Sequence, residues 1–193
     1  MGTLLADMYP EHANLIGFGD HCQWAWQCYR LAKRYASTDV HGWHDIDPVL
    51  LTIIKEYSFL QIAKLHDPLR TSGHTNQSIQ HFVKKYDDQS GSLAAKYHAF
   101  EEKHSDFIDA ARRARRKVIA HNDLAASSTA ERHGAYQDGL DEVYFDELPS
   151  LLTAIYKQAG MALFPGWHTP FEQDVAAFIR ILLDRKATRH VPT

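Results

Sequence analysis

No apolar run approaches the roughly 18 residues a membrane-spanning helix needs, so nothing in the sequence reads as a span. The first residues, MGTLLADMYP, lack the basic start and apolar stretch of a signal peptide. Only two cysteines occur in 193 residues, Cys22 and Cys28, six apart in a helical pattern and too far for a short-range bridge. A disulfide scaffold is excluded, and a reduced, cytoplasmic setting is expected. There is no Walker-type or G-x-G-x-x-G loop and no G-x-S-x-G elbow, which removes the commonest phosphate-cradle, dinucleotide and hydrolase readings. No cofactor is expected. Net charge is small as well: 21 basic against 24 acidic residues give −3. With 45% hydrophobic residues, so small a net charge excludes global disorder.

No stretch alternates as a strand would, while apolar residues recur at helical spacing almost throughout. A first helix is expected from about Ala13 to Ala36, carrying Leu15, Phe18, Cys22, Trp26, Tyr29 and Tyr35. Asp47-Pro48 reads as an N-cap followed by proline at the first helical position, opening a second helix that ends near His66. Asp67-Pro68 breaks it, and a polar loop runs past Gly73 and Thr75. Asn76 or Ser78 can cap a short third helix with Ile79, Phe82 and Val83. A fourth helix should run from Leu93 to about His121, with an irregularity near His104-Ser105. After a polar loop over Ala125 to Asp138, a helix over Leu140 to Phe164 is expected, capped by Asp138 or Asp141. Pro165-Gly166 stops it, and Phe171 to Leu183 forms a last helix. The expected fold class is an all-α bundle, one domain over 1–193 with its core at about 12–185.

One constellation concentrates charge. Residues 112–117 read RRARRK, so the net −3 is +5 in this hexamer and −8 elsewhere. A basic strip at a helix C-terminus is ordinary, since the macrodipole favours cations there. The position of Arg115 is not ordinary: it lies on the apolar row of Ala111, Val118 and Asn122. Arg115, Val118 and His121 fan over about 120°, with Arg115 and His121 about 9 Å apart along the axis. Two copies about a two-fold axis could pair the arginine of one with the histidine of the other, a composite site at a homodimer interface.

The run Arg115-Arg116-Lys117-Val118-Ile119-Ala120-His121-Asn122-Asp123 resembles the R-x4-6-H motif of the HEPN superfamily, all-α proteins that include many metal-independent ribonucleases. Its ending is most similar to the abortive-infection (AbiU2-like) branch, bacterial proteins linked to phage defence. Leu65-His66-Asp67-Pro68, followed by Gly73, Asn76, Ser78 and Ile79, resembles that branch's inter-helix loop. The resemblance implies a HEPN-like bundle with additional flanking helices. It also implies RNA cleavage by 2′-hydroxyl attack without metal, with RNA and an antitoxin protein as partners. Arg115 and His121 map onto the motif's catalytic pair. Histidine titrates near neutrality and can move the proton, and an arginine fork can hold the charge of a phosphorane-like transition state. Arg112, Arg116 and Lys117 would grip the RNA backbone, and Asn122 and Asp123 would orient the imidazole. Arg116 departs from the short polar residue common after the family arginine, and no tyrosine follows His121 closely. The alternative is a non-catalytic HEPN module that binds RNA, nucleotide or a protein partner.

Other groupings read more plainly. Glu101 and His104 form an E-x-x-H, but no second copy exists to complete a di-iron site. His41, His44 and Asp45 have ligand-like spacing in a loop, and no metal is expected at either place. Trp24, Trp26, Tyr29 and Tyr35 read as core or interface rather than a stacking platform. Asp138, Asp141, Glu142, Asp146 and Glu147 read as a solvated helix start, with a role in gating the basic run across a dimer as the sharper option.

Overall fold

The computed structural model describes residues 6–38, 46–116, 139–168 and 170–189. After a 3₁₀ turn at Pro10–His12, helix α1 spans Ala13–Ser37. It buries Leu15, Phe18, Cys22, Trp26, Tyr29 and Ala32 on one face, at the three-to-four spacing that puts residues on a single stripe. Thr38 ends it by donating its hydroxyl to the Arg34 carbonyl at 2.8 Å. Helix α2 spans Ile46–Leu65 and packs along α1 through Phe59, Ile62 and Leu65. It starts two residues before the expected Pro48. That is tolerable because the first-turn N–H groups have no intrahelical acceptor, so proline forfeits nothing there.

After α2 the chain forms a feature that periodicity did not announce. Arg70–Thr71 (β1) and His74–Thr75 (β2) pair antiparallel, Arg70 opposite Thr75. Ser72 and Gly73 both take positive φ, 49° and 85°, as a two-residue hairpin turn demands. Asn76 secures the hairpin, donating its side-chain amide to the Pro68 carbonyl at 2.7 Å and the Thr71 hydroxyl at 2.8 Å. Ser78 is the cap of α3 (Ile79–Tyr86), its hydroxyl accepting from the His81 N–H at 3.4 Å.

The long helix expected from Leu93 is two helices. α4 spans Ser92–Lys103 and α5 spans Ser105–Ala114, with His104 at the break (φ −105°, ψ 15°). His104 is buried there and bonds Glu147 at 3.0 Å, so a side-chain tie offsets the lost helical continuity. Arg115 keeps helical dihedrals after α5, its N–H bonded to the Ala111 and Arg112 carbonyls. The expected continuation to His121 lies outside the described residues.

Helix α6 spans Leu140–Gln158. Asp141 does not cap it, and Asp138 lies outside the described residues. Gly139 occupies the N-cap at φ 90°, and Glu142 reaches back to accept its N–H at 2.9 Å. α6 also stops six residues before Phe164, because Gly160 turns left-handed at φ 78°. The Gly160 N–H then bonds the Lys157 carbonyl and the Met161 N–H the Tyr156 carbonyl, a Schellman closure. Met161 and Phe164 are buried without being helical, which is why their apolar spacing misled. Helix α7, Pro170–Arg189, is longer than expected. It sets Val175 and Ile179 against Tyr35 in a small cluster apart from the main core.

That main core joins α1 through α6 around Tyr144, which is fully buried among Phe100, Phe107, Phe145, His66 and His104. Among the described residues the fold is all-α apart from the hairpin. No helix among the described residues is long and apolar enough to cross a membrane. Both cysteines are free and buried.

Candidate functional site

The end of α2, the hairpin, α4 and the C-terminal turn of α5 enclose a cleft of about 700 Å³. It is lined by His66, Asp67, Pro68, Thr71, Gln80, Tyr97, Glu101, Arg112, Arg115 and Arg116. Two segments distant in sequence therefore form one site: the Leu65–Pro68 loop and the basic end of α5.

Each arginine is placed differently. Arg112 donates from Nη2 to the His66 carbonyl at 2.9 Å and lies 3.6 Å from Glu101 Oε1 and 3.4 Å from Asp109. It thus ties α5 to the end of α2. Arg115 forms an ion pair with Asp67, with both side chains partly exposed to the cleft. Its apolar-row position is explained by this contact with the loop after α2. Arg116 is exposed at the cleft wall. Arg113 is exposed but does not line the cleft.

Below these charges sits His66. Its Nε2 lies 2.8 Å from the Tyr144 hydroxyl and its Nδ1 lies 3.9 Å from Glu101 Oε1, too far for a hydrogen bond. Burial pushes the imidazole below its ordinary pKa, so it is neutral at physiological pH. Burial alone would raise Glu101. The neighbouring His66, Tyr97 and Arg112 outweigh it and hold the carboxyl below the ordinary range. The Tyr97 hydroxyl is pushed up by burial and by Glu101, and stays protonated.

Of the residues expected from sequence, Arg112, Arg115 and Arg116 meet in this cleft. Lys117, His121, Asn122 and Asp123 lie outside the described residues, as do His41, His44, Asp45 and Asp138. Glu101 and His104 are one turn apart yet face different partners, Glu101 the cleft and His104 the α6 residue Glu147. The acidic start of α6 is not a solvated face: Asp141 is fully buried, with a carboxylate oxygen 3.1 Å from Lys33 Nζ. Glu142 shares that lysine at 2.8 Å, and Glu147 is engaged by Lys103 and His104. Those contacts commit three of the charges to the bundle itself. Trp26 stacks on Trp167 with centroids 5.5 Å apart, and Tyr29 on Phe145 at 4.4 Å, both in the core as expected. Trp24 alone of the four is exposed, against Tyr57.

Sequence reasoning did not find Glu101, Tyr97 and Gln80 as cleft residues. The only signal for them was position: Tyr97 and Glu101 are four apart, hence on one face of α4.

Fold and cleft define the class as an all-α bundle with one arginine-rich cleft at a helix end. The chain belongs to the AbiU2 family of HEPN domains, the family model matching residues 17–155, and is thereby a HEPN module of the abortive-infection kind. No curated protein and no solved structure matches it. The matched stretch runs from α1 into α6, and α7 lies outside it.

Proposed function

We propose that this HEPN module is a metal-independent endoribonuclease, acting as a cytoplasmic homodimer in a phage-defence or toxin setting and restrained by an antitoxin protein. The observation that carries the reading is the gathering of Arg112, Arg115 and Arg116 with the Asp67-Pro68 loop around one cleft. Cleavage forms a bond from the ribose 2′-oxygen to phosphorus and breaks the bond to the 5′-oxygen. One proton leaves the 2′-hydroxyl and one reaches the departing oxygen, giving a 2′,3′-cyclic phosphate and a 5′-hydroxyl. His121 carries a proton in this exchange, and Arg115 holds the charge gathering on the phosphoryl oxygens. Arg112, Arg116 and Lys117 hold flanking phosphates, and Asn122 and Asp123 orient His121.

A second reading, a non-catalytic module that binds RNA, nucleotide or a protein partner, is favoured by two observations. Arg115 already has a carboxylate partner in Asp67, and Arg116 follows it where the family has a short polar residue. Incubating labelled RNA with the protein and EDTA separates the two. Cleavage to cyclic-phosphate ends that disappears in His121→Ala supports the nuclease. RNA left intact by wild-type protein at high concentration supports the binding module.

A further inference from the structure

The cleft is not uniformly cationic, and its exception is informative. Two carboxylates line it, Asp67 and Glu101. Asp67 is taken by Arg115. Glu101 has Tyr97 and His66 beside it, approaches its nearest cation, Arg112, only to 3.6 Å, and keeps 27% of its side-chain surface exposed to the cleft. Beneath it, His66 is buried and its Nδ1 has no hydrogen-bond partner among the described residues. An ionised carboxylate inside an anion-binding cleft opposes phosphate. Its presence there calls for a ligand that brings hydrogen-bond donors alongside its negative charge.

From this arrangement we infer that Glu101 makes the Arg112 end of the cleft a guanine-selective base pocket, resting on the RNA-binding reading above. Guanine alone among the four RNA bases offers two adjacent N–H donors, N1–H and N2–H, to the two oxygens of one carboxylate. Its O6 lies next to them and can accept from Arg112. Cytosine and adenine present one amino group beside a ring-nitrogen lone pair, which would face the second carboxylate oxygen. Uracil offers a single N–H between two carbonyls. Single-stranded bases are read in this way, by their Watson–Crick edges. A site built to pair such donors rejects a base that leaves its polar groups unpaired. Arg115 and Arg116 line the same cleft as Glu101, where they can hold a phosphate of the bound strand. The low pKa of Glu101 keeps it an acceptor at neutral pH.

The test uses octamers of 2′-fluorouridine carrying a single central G, A, C or U, which lack the attacking hydroxyl and so report binding alone. Fluorescence anisotropy on the full chain should show the G octamer bound about tenfold more tightly than the others, the size of one or two charge-assisted hydrogen bonds. Glu101→Gln should level the four affinities, with Glu101→Asp intermediate, and circular dichroism checks that each variant folds. Arg116→Ala should weaken all four alike and keep the preference for G. Equal affinities in the wild-type protein, or a preference that survives Glu101→Gln, overturn the base pocket while leaving the RNA reading in place. Failure of all four octamers to bind removes both.

Discussion

Asp67→Asn changes one charge in the cleft and should move stability and RNA affinity in opposite directions. The wild-type carboxylate pairs with Arg115, the side chains being 22% and 35% exposed. A pair that wet is screened by solvent and contributes about 1 kcal/mol rather than the several expected in a dry interior. Removing it should lower the melting temperature by about 2–4 °C for a chain of this length. A phosphate seated on Arg115 must displace Asp67, so each binding event in the wild-type protein surrenders that same ~1 kcal/mol. The variant avoids this loss and should bind single-stranded RNA about fivefold more tightly. The same phosphates are held in both proteins, so the slope of log affinity against log salt should stay unchanged. Differential scanning fluorimetry and anisotropy titrations at several salt concentrations read both quantities. A variant that melts earlier yet binds RNA with unchanged affinity would refute the reasoning. Asp67 would then brace the loop without competing for the phosphate position.

Gly19→Ala should destabilise the fold although alanine is the better helix former by about 1 kcal/mol. A Cβ there would sit 2.2 Å from the Tyr156 hydroxyl, which is buried and donates to the Leu15 carbonyl at 3.3 Å. Overpacking of this kind costs about 1–3 kcal/mol, so the melting temperature should fall, and adding Tyr156→Phe should recover part of the loss. A melting temperature equal to or above wild type contradicts the packing described. Stability should also depend on pH through the buried imidazoles. Burial holds His66 and His104 below their ordinary pKa in the fold, whereas the unfolded chain takes up protons below about pH 6.5. Their contribution is therefore complete above about pH 6.5 and declines as the pH falls below it. His66→Gln should flatten that acid decline in a series of melts from pH 8 to 5.5. A wild-type protein that melts later at pH 5.5 than at pH 7 contradicts the assignment.

Much of this arrangement is legible in the sequence. Apolar spacing located the helices, and His104-Ser105 marked the break between α4 and α5. Arg115 on an apolar row signalled that the basic strip faced something. What it faces could not be read, because Asp67 meets it only through the packing of α2 on α5. Asp141 shows the same limit: a carboxylate in a first helical turn reads as solvated, and only its distant partner Lys33 shows why it is buried. The end of α6 failed for a local reason. Met161 and Phe164 continue the helical spacing, and the left-handed Gly160 overrides it. Glu101 was visible only as half of an E-x-x-H pair, since which wall of a cleft a residue lines is set by tertiary packing.

The proposed catalytic unit joins Arg115 of one protomer with His121 of its partner, and subunit mixing tests this most directly. Arg115→Ala and His121→Ala chains, each folded and dimeric by circular dichroism and light scattering, should each leave labelled RNA uncut in EDTA. Unfolded and refolded together in equal amounts, half of the dimers should be mixed, and each mixed dimer regains one intact site of two. The mixture should then recover about a quarter of wild-type cleavage, with cyclic-phosphate ends. A mixture in which mixed dimers form and RNA stays uncut would contradict the shared site.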